Sequence, residues 1–107
     1  MKDVIDRGFG FDLEFLLQKR DGTAEESTGT TAVWKLGMSD TAPEALLVRE
    51  ISSLALESGQ VLARVSLTAA ETEALAPGQY YHQLAVTLAG DEPRLRVAAW
   101  IKVKDRL

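Results

Sequence analysis

Gln79-Tyr80-Tyr81-His82-Gln83-Leu84-Ala85-Val86-Thr87-Leu88 and Arg94-Leu95-Arg96-Val97-Ala98-Ala99-Trp100-Ile101-Lys102-Val103-Lys104 are separated by the five residues Ala89-Gly90-Asp91-Glu92-Pro93. Both runs alternate with a period of two, the signature of strands whose side chains point to opposite faces. In the first run Tyr80, His82, Leu84, Val86 and Leu88 share one face. In the second, Leu95, Val97, Ala99, Ile101 and Val103 make the inward face, and Arg94, Arg96, Ala98, Trp100, Lys102 and Lys104 the outward one. A connection this short cannot cross over to a parallel neighbour, so the two runs form an antiparallel hairpin.

Just upstream the period breaks once. Thr68-Ala69-Ala70-Glu71 is a capping box, in which the Thr hydroxyl and the Glu carboxylate each satisfy the other's backbone amide. Ala, Glu and Leu then favour a helix of about two turns over residues 69–75, which Pro77-Gly78 ends. Before it, residues 61–68 alternate as a strand. Leu54 and Leu56 suggest a short strand ahead of the Ser58-Gly59 turn. Residues 45–51 fit either a strand or a helical turn, and their Gly, Ser and Pro flanks favour the strand. Residues 30–36 place Ala32, Trp34 and Leu36 inward. Residues 9–18 alternate most clearly, with Phe9, Phe11, Leu13, Phe15 and Leu17 inward, and Asp21-Gly22 marks a tight turn after them. Roughly seven short strands in one chain predict an all-β, immunoglobulin-like antiparallel β-sandwich, with one helical turn near 69–75. The expected domain covers residues 8–105, and residues 1–7 form an N-terminal arm without a pattern of its own. Phe11, Leu13, Phe15, Trp34, Tyr80, Leu84, Val86, Val97 and Ile101 are the expected core.

The chain has 107 residues, 46% of them hydrophobic and 26% charged. That is one domain's worth, and too apolar for a disordered chain. The absence of Cys excludes disulfides, thiolate metal sites and a Cys nucleophile. A single His excludes any site that needs two imidazoles. The net charge of −4 argues against nucleic acid, which calls for a clustered basic surface. No stretch is apolar and long enough to cross a bilayer as a helix, and the start, with Asp3 and Asp6, does not read as a signal peptide.

Little in the chain suggests chemistry. His82 is the one side chain with an ordinary pKa near neutrality, but its strand period places it on an apolar face, where a hydrogen-bonded structural histidine is the expectation. Glu25/Glu26 and Asp91/Glu92 lie in loops without the Asp-x-Asp-x-Asp-Gly spacing of a calcium loop, so they read as solvated charge. Gly8-Phe9-Gly10 precedes a strand instead of following one, so it is not a phosphate loop. No cofactor, metal or catalytic residue is expected.

Residues 67–84, Leu67-Thr68-Ala69-Ala70-Glu71-Thr72 through Leu75-Ala76-Pro77-Gly78-Gln79-Tyr80-Tyr81-His82-Gln83-Leu84, resemble a recurrent stretch of small tailed-phage structural proteins. Their pattern is Leu-Thr-x-x-x-Thr, then Leu-x-x-Gly-x-Tyr-x-Tyr-Asp-Leu, then a hairpin, and it resembles the N-terminal β-sandwich domain of phage baseplate upper proteins. The outline covers residues 8–103, and its specific part covers residues 67–88. Where the family has its second inward Tyr this chain has His82, and where it has Asp this chain has Gln83. The resemblance implies a structural subunit of a virion, assembled in the host cytoplasm, from the tail, baseplate or fibre attachment region. Its partners would be other virion proteins and copies of itself, with no nucleic acid, membrane or small-molecule ligand. A head decoration protein and a carbohydrate-binding sandwich using Tyr81 and Trp100 are the alternatives.

The expected interface is the outward face of the last strand, together with the termini, where residues 1–7 would order against a neighbour. Trp100 sits there among Arg94, Arg96, Lys102 and Lys104, with Tyr81 on the neighbouring strand; Trp and Arg are favoured at interfaces. The competing reading tucks Trp100 under residues 44–56.

Overall fold

A computed structural model describes residues 4–19, 21–23, 25, 29–38, 45–52 and 54–105. They form two packed β-sheets joined by one short helix, the all-β sandwich expected from the periodicity. The strands are β1 (Val4–Asp6), β2 (Phe11–Leu17), β3 (Thr31–Gly37), β4 (Leu47–Ile51), β5 (Ala55–Glu57), β6 (Gln60–Leu67), β7 (Gly78–Thr87) and β8 (Arg94–Lys104), and α1 (Ala69–Glu73) lies between β6 and β7. One sheet has the order β1-β8-β7-β3-β4 and the other β2-β6-β5. All neighbours are antiparallel except β1, which runs parallel to β8.

The core lies between the sheets. Leu13 and Leu17 of β2 and Val61, Ala63, Val65 and Leu67 of β6 face Ala32, Trp34 and Leu36 of β3, Tyr80, Leu84 and Val86 of β7, and Ile101 and Val103 of β8. Of the expected core, Phe11, Phe15 and Val97 are half-buried and pack against this cluster. Phe9 was expected on the inward row but stands 58% exposed. The chain is still turning there, and the strand begins only at Phe11. Gly8 makes that turn at φ +83°, where a Cβ would come within 2.8 Å of the Glu73 carboxylate.

The helix turns the chain from one sheet to the other. Thr68 Oγ1 accepts the Glu71 N–H at 3.2 Å, and the Glu71 carboxylate accepts the Thr68 N–H at 3.0 Å, so the capping box is complete. Buried Thr72 ties the crossing to the start of β2. Its hydroxyl accepts the Gly8 N–H at 3.0 Å and donates to the Phe9 carbonyl at 2.8 Å. After the Pro77-Gly78 stop, the Tyr80 hydroxyl donates back to the Ala76 carbonyl at 2.6 Å, which pins the corner to the first turn of β7.

The expectation of a patternless arm does not hold for Val4–Asp6. These residues pair with Lys102, Val103 and Lys104, and Ile5 is fully buried. Three residues are too few to display a period, so this strand left no trace in the alternation. Arg7 fastens its end by donating to Asp105 at 2.9 Å and to the Glu73 carbonyl at 2.9 Å. Met1–Asp3 of the expected arm lie outside the described residues.

A β-bulge changes the expected face of β8. Leu84 stands opposite Val97 and Ala85 opposite Leu95, leaving Arg96 as the extra residue. An inserted residue moves everything beyond it to the other face. Leu95, expected inward, is therefore 59% exposed beside Ala85. Arg96, expected outward, turns to the small sheet instead. It donates to the Gln18 carbonyl at 3.2 Å and forms an ion pair with Glu25.

Candidate interaction surface

The outward face of the five-stranded sheet is built by alternation. In register across it lie Tyr81 beside Trp100, Gln83 beside Ala98 and Lys35, and Ala85 beside Leu95 and Val33, with Val48 beyond Lys35. Strands this close bring side chains on one face within reach of each other. Trp100 is 53% exposed, Leu95 59% and Val48 44%. Trp100 is therefore not tucked under residues 45–52 or 54–56, the described parts of the segment proposed to cover it. Tyr81 is half-buried against Trp100, with ring centroids 5.2 Å apart and planes at 79°. This edge-to-face pair leaves no coplanar shelf of two rings for a sugar to lie across.

The six expected interface residues divide. Trp100, Tyr81, Lys102 and Lys104 share this face. Arg94 and Arg96 do not, for the reason that the bulge lies between them and Trp100. Arg94 is in register with inward-facing Val86 and pairs with Asp91 at 3.6 Å. Among the described residues, the charges that remain on the face are Lys35, Lys102, Lys104, Glu50 and Asp6, and Trp100 has no carboxylate in register beside it.

The outward face of the three-stranded sheet is different. Ser66 donates to Asp12 at 2.7 Å across the β2–β6 pair, and Arg64 bridges Glu14 on β2 and Glu57 on β5. The Arg64 guanidinium holds the Glu57 carboxyl below its ordinary value. Arg64 thus serves two carboxylates and Asp12 has a hydroxyl partner, so the face is hydrogen-bonded internally and net acidic.

His82 is buried on the inward face, as its period anticipates. Trp34 Nε1–H donates to His82 Nδ1 at 3.1 Å, and the Phe15 ring lies 6.1 Å away. An indole N–H can only donate, so Nδ1 carries no proton and the ring hydrogen sits on Nε2. Imidazole and indole each satisfy a polar group that burial would otherwise leave without a partner. Among the described residues, no three His, Asp or Glu side chains gather closely enough to hold a metal ion.

Two polar sites were not legible in the sequence. Glu25, read as solvated loop charge, is only 7% exposed and is neutralised by Arg96; Glu26 lies outside the described residues. Arg49 points inward from β4, opposite Trp34, and forms an ion pair with Glu71 of the capping box. Its place on the inward row of a 47–51 strand was the only available sign. Asp91 and Glu92 are exposed, as expected of loop charge.

The chain matches no protein-family model and no curated protein.

Proposed function

We propose that this chain is a non-enzymatic structural subunit of a bacteriophage virion, placed in the tail, baseplate or fibre attachment region, that acts by assembling with copies of itself and other virion proteins. The observation that carries the reading is the outward face around Trp100. A sheet face exposed to water ordinarily alternates to polar side chains, yet here Trp100, Leu95, Ala98 and Val48 lie open. An exposed apolar patch rimmed by charge marks a protein contact, and a central Trp is the residue type that dominates such contacts. The stretch from Leu67 to Leu84 supplies the phage resemblance, and its capped turn and Tyr80 anchor form the corner of the sandwich. The sole His is occupied in the core, and among the described residues no set of polar groups converges on an open cleft as catalysis requires.

We also read the sandwich as immunoglobulin-like. The support is its strand order, with β2-β6-β5 in the place of strands B-E-D and β8-β7-β3-β4 in the place of G-F-C-C′. Trp34 then occupies the buried Trp position of strand C, and Tyr80 the tyrosine corner. His82, two residues after Tyr80, stands where antibody domains place a disulfide cysteine, and it packs against Phe15 and Trp34.

The test is a Trp100→Ala, Lys102→Glu double variant, followed by sedimentation of the purified chain and by incorporation into particles. The parent is expected to assemble, and the variant to stay folded by circular dichroism and fail to assemble. A variant that assembles like the parent overturns this surface as the interface.

A further inference from the structure

We infer that the free edge of β2 accepts an extended strand from a different polypeptide, one that carries apolar residues at alternate positions and basic residues between them. A sheet edge is a row of unpaired backbone groups, and folded proteins blunt such edges by shortness, by inward-pointing charge or by covering them. The two sheets end in β1, β4, β2 and β5. β1 and β5 are three residues long. β4 has five residues and carries Arg49 on its inward face, anchored to Glu71 and the Ser66 carbonyl. β2 alone is long, at seven residues, with no Pro, no Lys and no inward charge. Among the described residues no strand lies on its far side.

The hydrogen-bonding phase of β2 gives the edge its pattern. The Leu17 carbonyl accepts the Glu25 N–H at 3.1 Å, so it points away from β6. Antiparallel ladders alternate residue by residue, so the N–H and C=O groups of Phe11, Leu13 and Phe15 also face the open edge. Thr72 on the Phe9 carbonyl closes one end of this stretch, and Glu25 with Arg96 closes the other. Among the described residues, what stays open is a run of about five residues, or roughly 17 Å.

The packing beside the edge is incomplete in the matching place. Every inward residue of β6 from Val61 to Leu67 is buried, but Phe11 and Phe15 of β2 and Val97 of β8 are only half-buried. Ala99 is exposed although its register partner His82 is buried. Alternate side chains of an added strand would cover these groups, which is how strand addition combines main-chain affinity with side-chain specificity.

Charge selects the occupant. Asp12 and Glu14 line the outward face of β2. Antiparallel pairing of two β2 edges would set these carboxylates against those of the second copy, and like charges directly opposite are destabilising. The edge therefore rejects its own copy and favours a strand with Lys or Arg at the outward positions.

The probes are seven-residue capped peptides: alternating Val and Lys, the same with Glu in place of Lys, and the Val/Lys peptide N-methylated at alternate amides. Amide exchange of the folded protein is followed by NMR. Saturable binding of the Val/Lys peptide is expected, slowing exchange at Phe11, Leu13 and Phe15 by at least about tenfold. The Glu peptide should bind about five- to tenfold more weakly, and the N-methylated peptide should give no protection. An Asp12→Lys, Glu14→Lys variant should reverse the Lys/Glu preference. Four results would overturn the inference: no saturable binding, equal binding of the N-methylated peptide, protection mapping to Trp100, or self-association through β2. Repeating the titration on Trp100→Ala separates this edge from the proposed assembly face, because that variant should bind the peptide unchanged.

Discussion

The outward face of the three-stranded sheet ties its charged groups into hydrogen bonds of its own, through Arg64 between Glu14 and Glu57 and through Ser66 on Asp12. The outward face of the five-stranded sheet has rings and aliphatic groups where those pairs would be, with Trp100 and Leu95 more than half exposed. Both faces back onto one apolar core, so the core does not account for the difference. Three carboxylates, Asp12, Glu14 and Glu57, against the single Arg64 guanidinium keep that surface hydrated and net acidic. An open aromatic face gains free energy only when something covers it, so the two sides of the sandwich are suited to different neighbours, water on one and protein on the other.

The largest expected effect tests the shared core. Trp34→Ala should cost about 3–5 kcal/mol in urea unfolding, and a loss below about 1 kcal/mol would mean that the two faces do not rest on common packing. Next comes the bulge that places Leu95 on the aromatic face. Arg96→Met takes the Arg96 guanidinium away from the buried Glu25 carboxylate, and should cost about 2–3 kcal/mol because the guanidinium is partly exposed. Adding Glu25→Gln should recover most of that loss. Trp100→Ala removes the edge-to-face pair with Tyr81, worth no more than about 1 kcal/mol to the isolated fold, yet it should abolish association. Equal loss of folding and association would erase the contrast. On the opposite face, Arg64→Ala should lower the thermal midpoint only slightly, and less still in high salt.

The smallest effect is acid sensitivity, and it compares the corner with the charged face. Arg49, with the Thr68 amide, holds Glu71 below its ordinary value of 4.5, and Arg64 does the same for Glu57. A carboxyl depressed in the folded state adds stability above its unfolded value and loses it as pH falls through the folded one. Thermal midpoints should therefore fall as pH drops below about 4, with a shallower fall in Glu71→Gln and in Glu57→Gln. A Glu71→Gln profile that overlays the parent would show that the corner carries no linked proton.

The strands from β2 to β8 were legible because each is long enough, or flanked clearly enough, for alternation or turn residues to mark it. The capping box needed only local spacing, and Trp34, Tyr80 and His82 followed from their faces. The bulge was hidden by composition. Around it the sequence runs Leu95-Arg96-Val97-Ala98-Ala99, and two adjacent alanines fit either face, so nothing opposed an unbroken register. That one slip misplaced Leu95, Arg94 and Arg96 together and concealed the partner of Glu25. The open aromatic face survived because Trp100 lies on the other side of the bulge.

The parallel pairing of β1 with β8 has a consequence in time. It joins residues at opposite ends of the chain, and the Arg7–Asp105 contact spans 98 positions. Closing so long a loop costs entropy before any contact rewards it, whereas the β7–β8 hairpin forms locally. β1 has no surface to dock on until β8 is in place, so Ile5 should enter the core last and leave it first. An Ile5→Val substitution should then speed unfolding and leave the folding rate unchanged. The two ends of the chain would close the molecule as a latch, after the sandwich behind it has formed.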